Sequence, residues 1–155
     1  ATYKVKPNSA IEYTASAADI GANLNAGAIG LTGYYYTGEG VGTTAMFLSS
    51  HDTAGNKRDS DGGYIQGTYV LPTKTKIGLA YGKSNLDLTA GETQGSAIVS
   101  HNKRFTAGAY HPLTKHLNLV GEYSRVESEN HATIAKENKS DILSVGGNLR
   151  HVGCN

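Results

Sequence analysis

Groups able to do covalent or metal chemistry are sparse in this chain. Histidines stand at 51, 101, 111, 116, 131 and 151, with none of the spacings that zinc sites use. His151 and the lone cysteine, Cys154, offer too few ligands for a closed zinc shell. Ser100-His101 has no nucleophile elbow around it. Asp52, Asn56, Asp59 and Asp61 carry oxygens of the kind calcium takes, but Lys57 and Arg58 sit among them and the spacing is not that of a calcium-binding loop. Gly38-Glu39-Gly40-Val41-Gly42 has the glycine content of a phosphate loop without its Lys-Ser/Thr, and Glu39 would repel an anion, so it reads as a tight turn. The residues predict no catalytic group, no metal site and no cofactor.

What remains is a set of polar side chains in one phase of an alternating pattern: Lys4, Glu12, Gln66, Lys76, Arg104, Glu122 and Arg150. Lining a water-filled passage, they would set its potential and hence its ion preference. Four are basic and two acidic, which predicts a slight preference for anions. The competing reading makes them the solvent face of a soluble antiparallel sheet. Tyr34-Tyr35-Tyr36 is either a stacking surface for a sugar or base or, more simply, part of a membrane-interface girdle with lumen-facing neighbours.

The elements that must position these residues follow from period two. Ile11, Tyr13, Ala15 and Ala17 alternate with Glu12, Thr14, Ser16 and Ala18, and Ile29, Leu31, Gly33 and Tyr35 alternate with Gly30, Thr32, Tyr34 and Tyr36. The same rhythm recurs from Gly63 to Leu71, Lys76 to Gly82, Leu117 to Ser124 and Asp141 to His151. With Thr43–Ser50 and Phe105–Leu113, whose facing is open, that makes about eight strands of a length that crosses a bilayer when tilted, plus a stub at 1–6. Short turns are expected near Pro7, Gly40, Pro72 and Pro112, an intermediate link over 21–26, and long loops over 52–62, 84–102 and 127–139. Short turns on one side and long loops on the other mark an all-β antiparallel transmembrane barrel. A weak repeat, Gly67 to Lys74 against Gly108 to Lys115, puts Tyr69 and Tyr110 in opposite phases, which a bulge near Pro112 would reconcile.

Composition agrees. Of 155 residues only 38% are apolar and 17% charged, and glycine is 20; the charged share lies below the roughly 25% of soluble proteins and the glycine share is nearly twice the usual 7%. No apolar run is long enough for a transmembrane helix. Net charge is +1, so nucleic acid is not an expected partner. The opening ATYKVKP has neither the basic nor the apolar region of a secretory leader. No linker interrupts the chain, and 1–155 reads as one domain.

Three segments resemble one known family, the general diffusion porins of Gram-negative outer membranes. Asp59 to Lys83 and Arg104 to Arg125 resemble strand–turn–strand units of the trimeric, sixteen-stranded type, and Asp141 to His151 (DILSVGGNLRH) resembles its closing strand. The resemblance covers most of 25–152 and implies the C-terminal half of such a barrel, in the bacterial outer membrane among lipid. It further implies a homotrimer that passes ions and small hydrophilic solutes by passive diffusion, without catalysis. The family closes on a terminal phenylalanine, whereas this sequence runs Val152-Gly153-Cys154-Asn155, a departure that bears on assembly. Two other functions fit the residues: a small eight-stranded barrel with a structural or adhesive envelope role, and a soluble β-barrel binding protein.

Overall fold

A computed structural model of the chain describes residues 1–8, 11–92, 97–132 and 137–149. They form one antiparallel meander with sheet order β1 to β8: β1 (Thr2–Val5), β2 (Tyr13–Ala26), β3 (Ile29–Glu39), β4 (Asp59–Val70), β5 (Lys76–Leu86), β6 (Val99–Pro112), β7 (Leu117–Asn130) and β8 (Glu137–Leu149). Among the described residues β1 and β8 each pair on one side only, so the sheet is open.

Register sorts the side chains, because residues opposite one another across an antiparallel pair share a face. One face carries Ile20, Leu24, Leu31, Ile65, Leu79, Phe105, Tyr123, Leu143 and Val145. The other carries Asn23, Thr32, Tyr64, Gln66, Arg104, Thr106, Glu122 and Ser124. The apolar face is bare: Ile20 is 72% exposed, Leu143 78% and Val145 85%. The only buried apolar side chains among the described residues are Tyr13, Ala15, Tyr36, Val41 and Leu86. A soluble sandwich would bury its apolar face against a second layer, and the described residues form no such layer.

Several boundaries differ from expectation. Thr43–Ser50 is not a strand. It holds a lone bridge, Thr43 to Leu48, within a long connection over 40–58, and the short turn expected near Gly40 is the start of that connection. Gly40 and Gly42 take positive φ there (69° and 70°), which glycine adopts without strain. The link over 21–26 is instead strand, and β2 reaches β3 through a tight turn at Gly27, also at positive φ. The strands bordering the long loops run further than expected, β5 to Leu86, β7 to Asn130 and β8 from Glu137. Past the apolar band the alternation continues in charged residues, which a hydropathy pattern does not register: Lys83, Lys103, Glu127 and Lys139 form one cross-strand row. With these corrections, short and long connections still alternate.

No bulge occurs near Pro112. Pairing between β6 and β7 is regular from His101 to Pro112, and the only shift lies between Val99 and His101. The two repeat copies are out of phase because their turns are. Val70 opposite Lys76 and Pro112 opposite Asn118 each enclose a five-residue turn, and the Thr-Lys dipeptide sits one position earlier in the second. Tyr69 therefore falls on the apolar face and Tyr110 on the polar one.

Candidate functional site

The polar face and the loop that covers part of it form the candidate site. Gln66 on β4, Lys76 at the start of β5, Arg104 on β6 and Glu122 on β7 share that face. Arg104 Nε donates to Thr106 Oγ1 at 3.3 Å and Nη2 to Ser124 Oγ at 3.1 Å, which braces the guanidinium against the wall. Glu122 accepts a hydrogen bond from Tyr110 Oη. Across β2 and β3, Asn23 Nδ2 donates to Thr32 Oγ1 at 2.7 Å. These bonds satisfy polar groups laterally along the wall.

Two predicted residues are placed differently. Lys4 pairs with Thr14, which puts it on the face of Ile20 and Leu24. Glu12 lies just before β2, exposed, in no strand. Arg150 lies outside the described residues, as do His151, Cys154 and the chain's end. The cause of the Lys4 difference is the phase of β2: Tyr13, Ala15 and Ala17 point to the polar side, not the apolar one. Their partner there is the loop over 40–58. Val41 packs with Tyr13, Ala15 and Tyr36, and Phe47 meets the edge of Tyr3 at 6.3 Å between ring centroids. The same phase puts Asp19, opposite Tyr36, on the polar face. On the described strands that face therefore carries Lys76 and Arg104 against Asp19 and Glu122, a balance where a basic excess was expected.

The loop is bolted down by a buried ion pair. Arg58, 4% exposed, meets Glu92 through both prongs of its guanidinium, Nη2–Oε1 at 2.5 Å and Nε–Oε2 at 2.8 Å, while Nη1 donates to the Ser49 carbonyl at 2.7 Å. The Thr89 hydroxyl lies 3.0 Å from Asp52 Oδ2 and 3.2 Å from Glu92 Oε2, so one proton serves two carboxylates. Asp52 also accepts from the backbone N–H groups of Ala54 and Asn56 and from Asn56 Nδ2, at 2.7–2.9 Å. These donors hold Asp52 down at about 2, the Asn56 side chain contributing most, and Arg58 holds Glu92 down at about 2. Asp52 thus spends its oxygens on its own loop and on Thr89 of the loop that follows β5. Among the described residues no three His, Cys, Asp or Glu side chains converge to hold a metal ion. Alternation gave no sign of Glu92, 34 residues from its partner in a stretch read as loop.

Two features thus coincide in one sheet: an apolar face left exposed from β2 to β8, and a polar face crossed by a docked loop. The sequence profile of Gram-negative porins matches residues 1–131. The chain belongs to the Gram-negative porin family. No curated protein and no solved structure matches it significantly. The porin assignment places the protein in the bacterial outer membrane and explains its faces. Membrane-spanning barrels alternate apolar-out and polar-in, so the face bearing Ile20, Leu79 and Val145 meets lipid. It also explains the tyrosines: Tyr35, Tyr69 and Tyr81 stand on the lipid side with ring area to offer an interface.

Proposed function

We propose that this porin contributes to a water-filled channel through which ions and small hydrophilic solutes diffuse passively, with Gln66, Lys76, Arg104 and Glu122 on the channel wall. The observation that carries the reading is the division of the two faces. Apolar side chains exposed by more than half would be costly in water and cost nothing against hydrocarbon, while the opposite wall keeps Arg104 and Glu122 in hydrogen-bonded, wettable positions. Arg150 extends this set from the sequence pattern. Glu12 belongs at its mouth, and Lys4 is dropped from it. Transport of this kind needs no bond to be made or broken, so the protein is not an enzyme.

The open sheet bears on how the wall closes. In hydrocarbon each unpaired backbone group costs several kcal/mol, so the free sides of β1 and β8 need partners. We infer that this domain, 1–155, is the C-terminal half of a larger barrel, whose remaining strands supply them. Eight strands alone would close to an interior filled by side chains. By family resemblance three such barrels associate. With two cationic and two anionic groups on the described wall, ion selectivity should be weak. Planar-bilayer recording tests the channel: stepwise, ohmic conductance is expected, and membrane insertion without conductance steps would overturn it.

A further inference from the structure

We propose that the polar wall holds a binding slot for small organic anions with a flat apolar face, the chemistry of an aromatic carboxylate. The inference deepens the channel reading, since it rests on the polar face being the water-filled side. It starts from a single cross-strand row, Tyr34 on β3, Tyr64 on β4, Gly82 on β5 and Arg104 on β6, each opposite the next. Residues opposite one another share a face, so Tyr64 and Arg104 stand two strands apart, about 10 Å, with nothing taller than a glycine between them.

The two ends differ in chemistry. Tyr34 and Tyr64 lie with ring centroids 5.9 Å apart and planes tilted by 32°, and Tyr34 and Tyr36 at 6.4 Å and 33°. Tyr36 is fixed from behind by Ser84, Oη to Oγ 2.8 Å. This is a continuous aromatic floor, with Tyr64 open to solvent. At the other end Arg104 uses two of its five N–H groups on Thr106 and Ser124, and no carboxylate lies within 4.0 Å of it among the described residues. Its guanidinium keeps donors in the planar geometry that suits a carboxylate.

The gap is a cavity of about 420 Å³, and Thr44 of the docked loop and Val126 of β7 help close it. Its openness depends on Gly82, where an added Cβ would come within 3.2 Å of Tyr64 Cβ. A ring laid on Tyr64 with its carboxylate toward Arg104 uses stacking and a charge-assisted pair at once. Acetate can use only the second and a neutral benzene derivative only the first.

The test is equilibrium binding to the full-length porin folded in non-ionic detergent, followed by titration calorimetry with sodium benzoate, acetate and benzamide. The measurement needs no conductance, so it stands apart from the channel test. Benzoate should bind saturably and at least about tenfold tighter than either control, the worth of one charge-assisted contact. Arg104→Gln should reduce benzoate to the level of benzamide. Tyr64→Leu should weaken it by about three- to tenfold, and Gly82→Leu should abolish it, with far-UV circular dichroism showing each variant folded. Equal affinity for benzoate and acetate, or full benzoate affinity in folded Arg104→Gln, would overturn the proposal.

Discussion

Arg58 and Glu92 close a two-pronged ion pair, 2.5 and 2.8 Å, between the loop that follows β3 and the loop that follows β5. Arg58 is buried and also holds the Ser49 carbonyl, so one side chain fastens the covering loop at its C-terminal end. Val41, packed on Tyr13, Ala15 and Tyr36, fastens the other. Truncating Arg58 to alanine leaves Glu92 without its strongest partner and the Ser49 carbonyl without a donor. Hydrogen bonds to charged groups are worth about 1.5–3 kcal/mol, so the loop over 40–58 should open locally by that amount. Hydrogen exchange read by mass spectrometry is expected to show faster exchange over 40–58 in R58A, with β4 to β7 unchanged.

Acid should release the same fastening. Asp52 and Glu92 are both held at about 2 against ordinary values of 3.8 and 4.5. A carboxyl depressed in the folded state stabilises fully above its unfolded value, and that contribution disappears as pH falls through the folded one. The loop is therefore fully fastened at neutral pH and loosens progressively from about pH 4.5 toward pH 2. A fluorophore on Thr53→Cys, in a Cys154→Ser background, should show constant anisotropy from pH 7 to 5 and a fall below pH 4. In Glu92→Gln the fall should begin from an already lower value.

Because Val41 packs on the polar wall, the loop takes up cross-section of the proposed channel. Val41→Asn places an amide in that apolar contact and should undock the loop's start. The expected outcome is a larger single-channel conductance than wild type in planar bilayers. Unchanged conductance would put the loop outside the permeation path.

Much of this architecture was legible in period two. Leu79 and Val145, with polar or small neighbours, fixed their strands and faces from residue type alone, and so did Gln66, Lys76 and Glu122. The failures have a common cause: apolar side chains on the polar wall. Tyr13, Ala15 and Ala17 read as a lipid-facing series, yet they are apolar because the loop packs on them, and the inverted phase carried Lys4 to the wrong side and hid Asp19. Tyr110 was ambiguous for a related reason, being an aromatic whose hydroxyl reaches Glu122. The fastening of Arg58 to Glu92 joins two loops, and no periodicity connects positions so far apart.

The faces differ in what they tolerate. A charge in the middle of the lipid face costs about 2–4 kcal/mol, and the same charge on the water-filled side little. Leu79→Arg and Ala107→Arg should each lower the stability of the bilayer-folded porin by that amount in urea titrations, whereas Ala80→Arg, on the polar face beside Leu79, should stay within about 0.5 kcal/mol of wild type. Equal effects at the adjacent positions 79 and 80 would contradict the assignment of the two faces.

The most direct test of the account is cysteine accessibility along β4, β5 and β6 in intact outer membranes, in the Cys154→Ser background. Cysteines placed singly at 66, 68, 80, 104 and 106 should react with a membrane-impermeant, water-soluble maleimide, and those at 65, 67, 79, 105 and 107 should be protected. Strict alternation with that phase is the predicted result; uniform labelling, or alternation with the opposite phase, would contradict a lipid-facing apolar wall and a water-filled polar one.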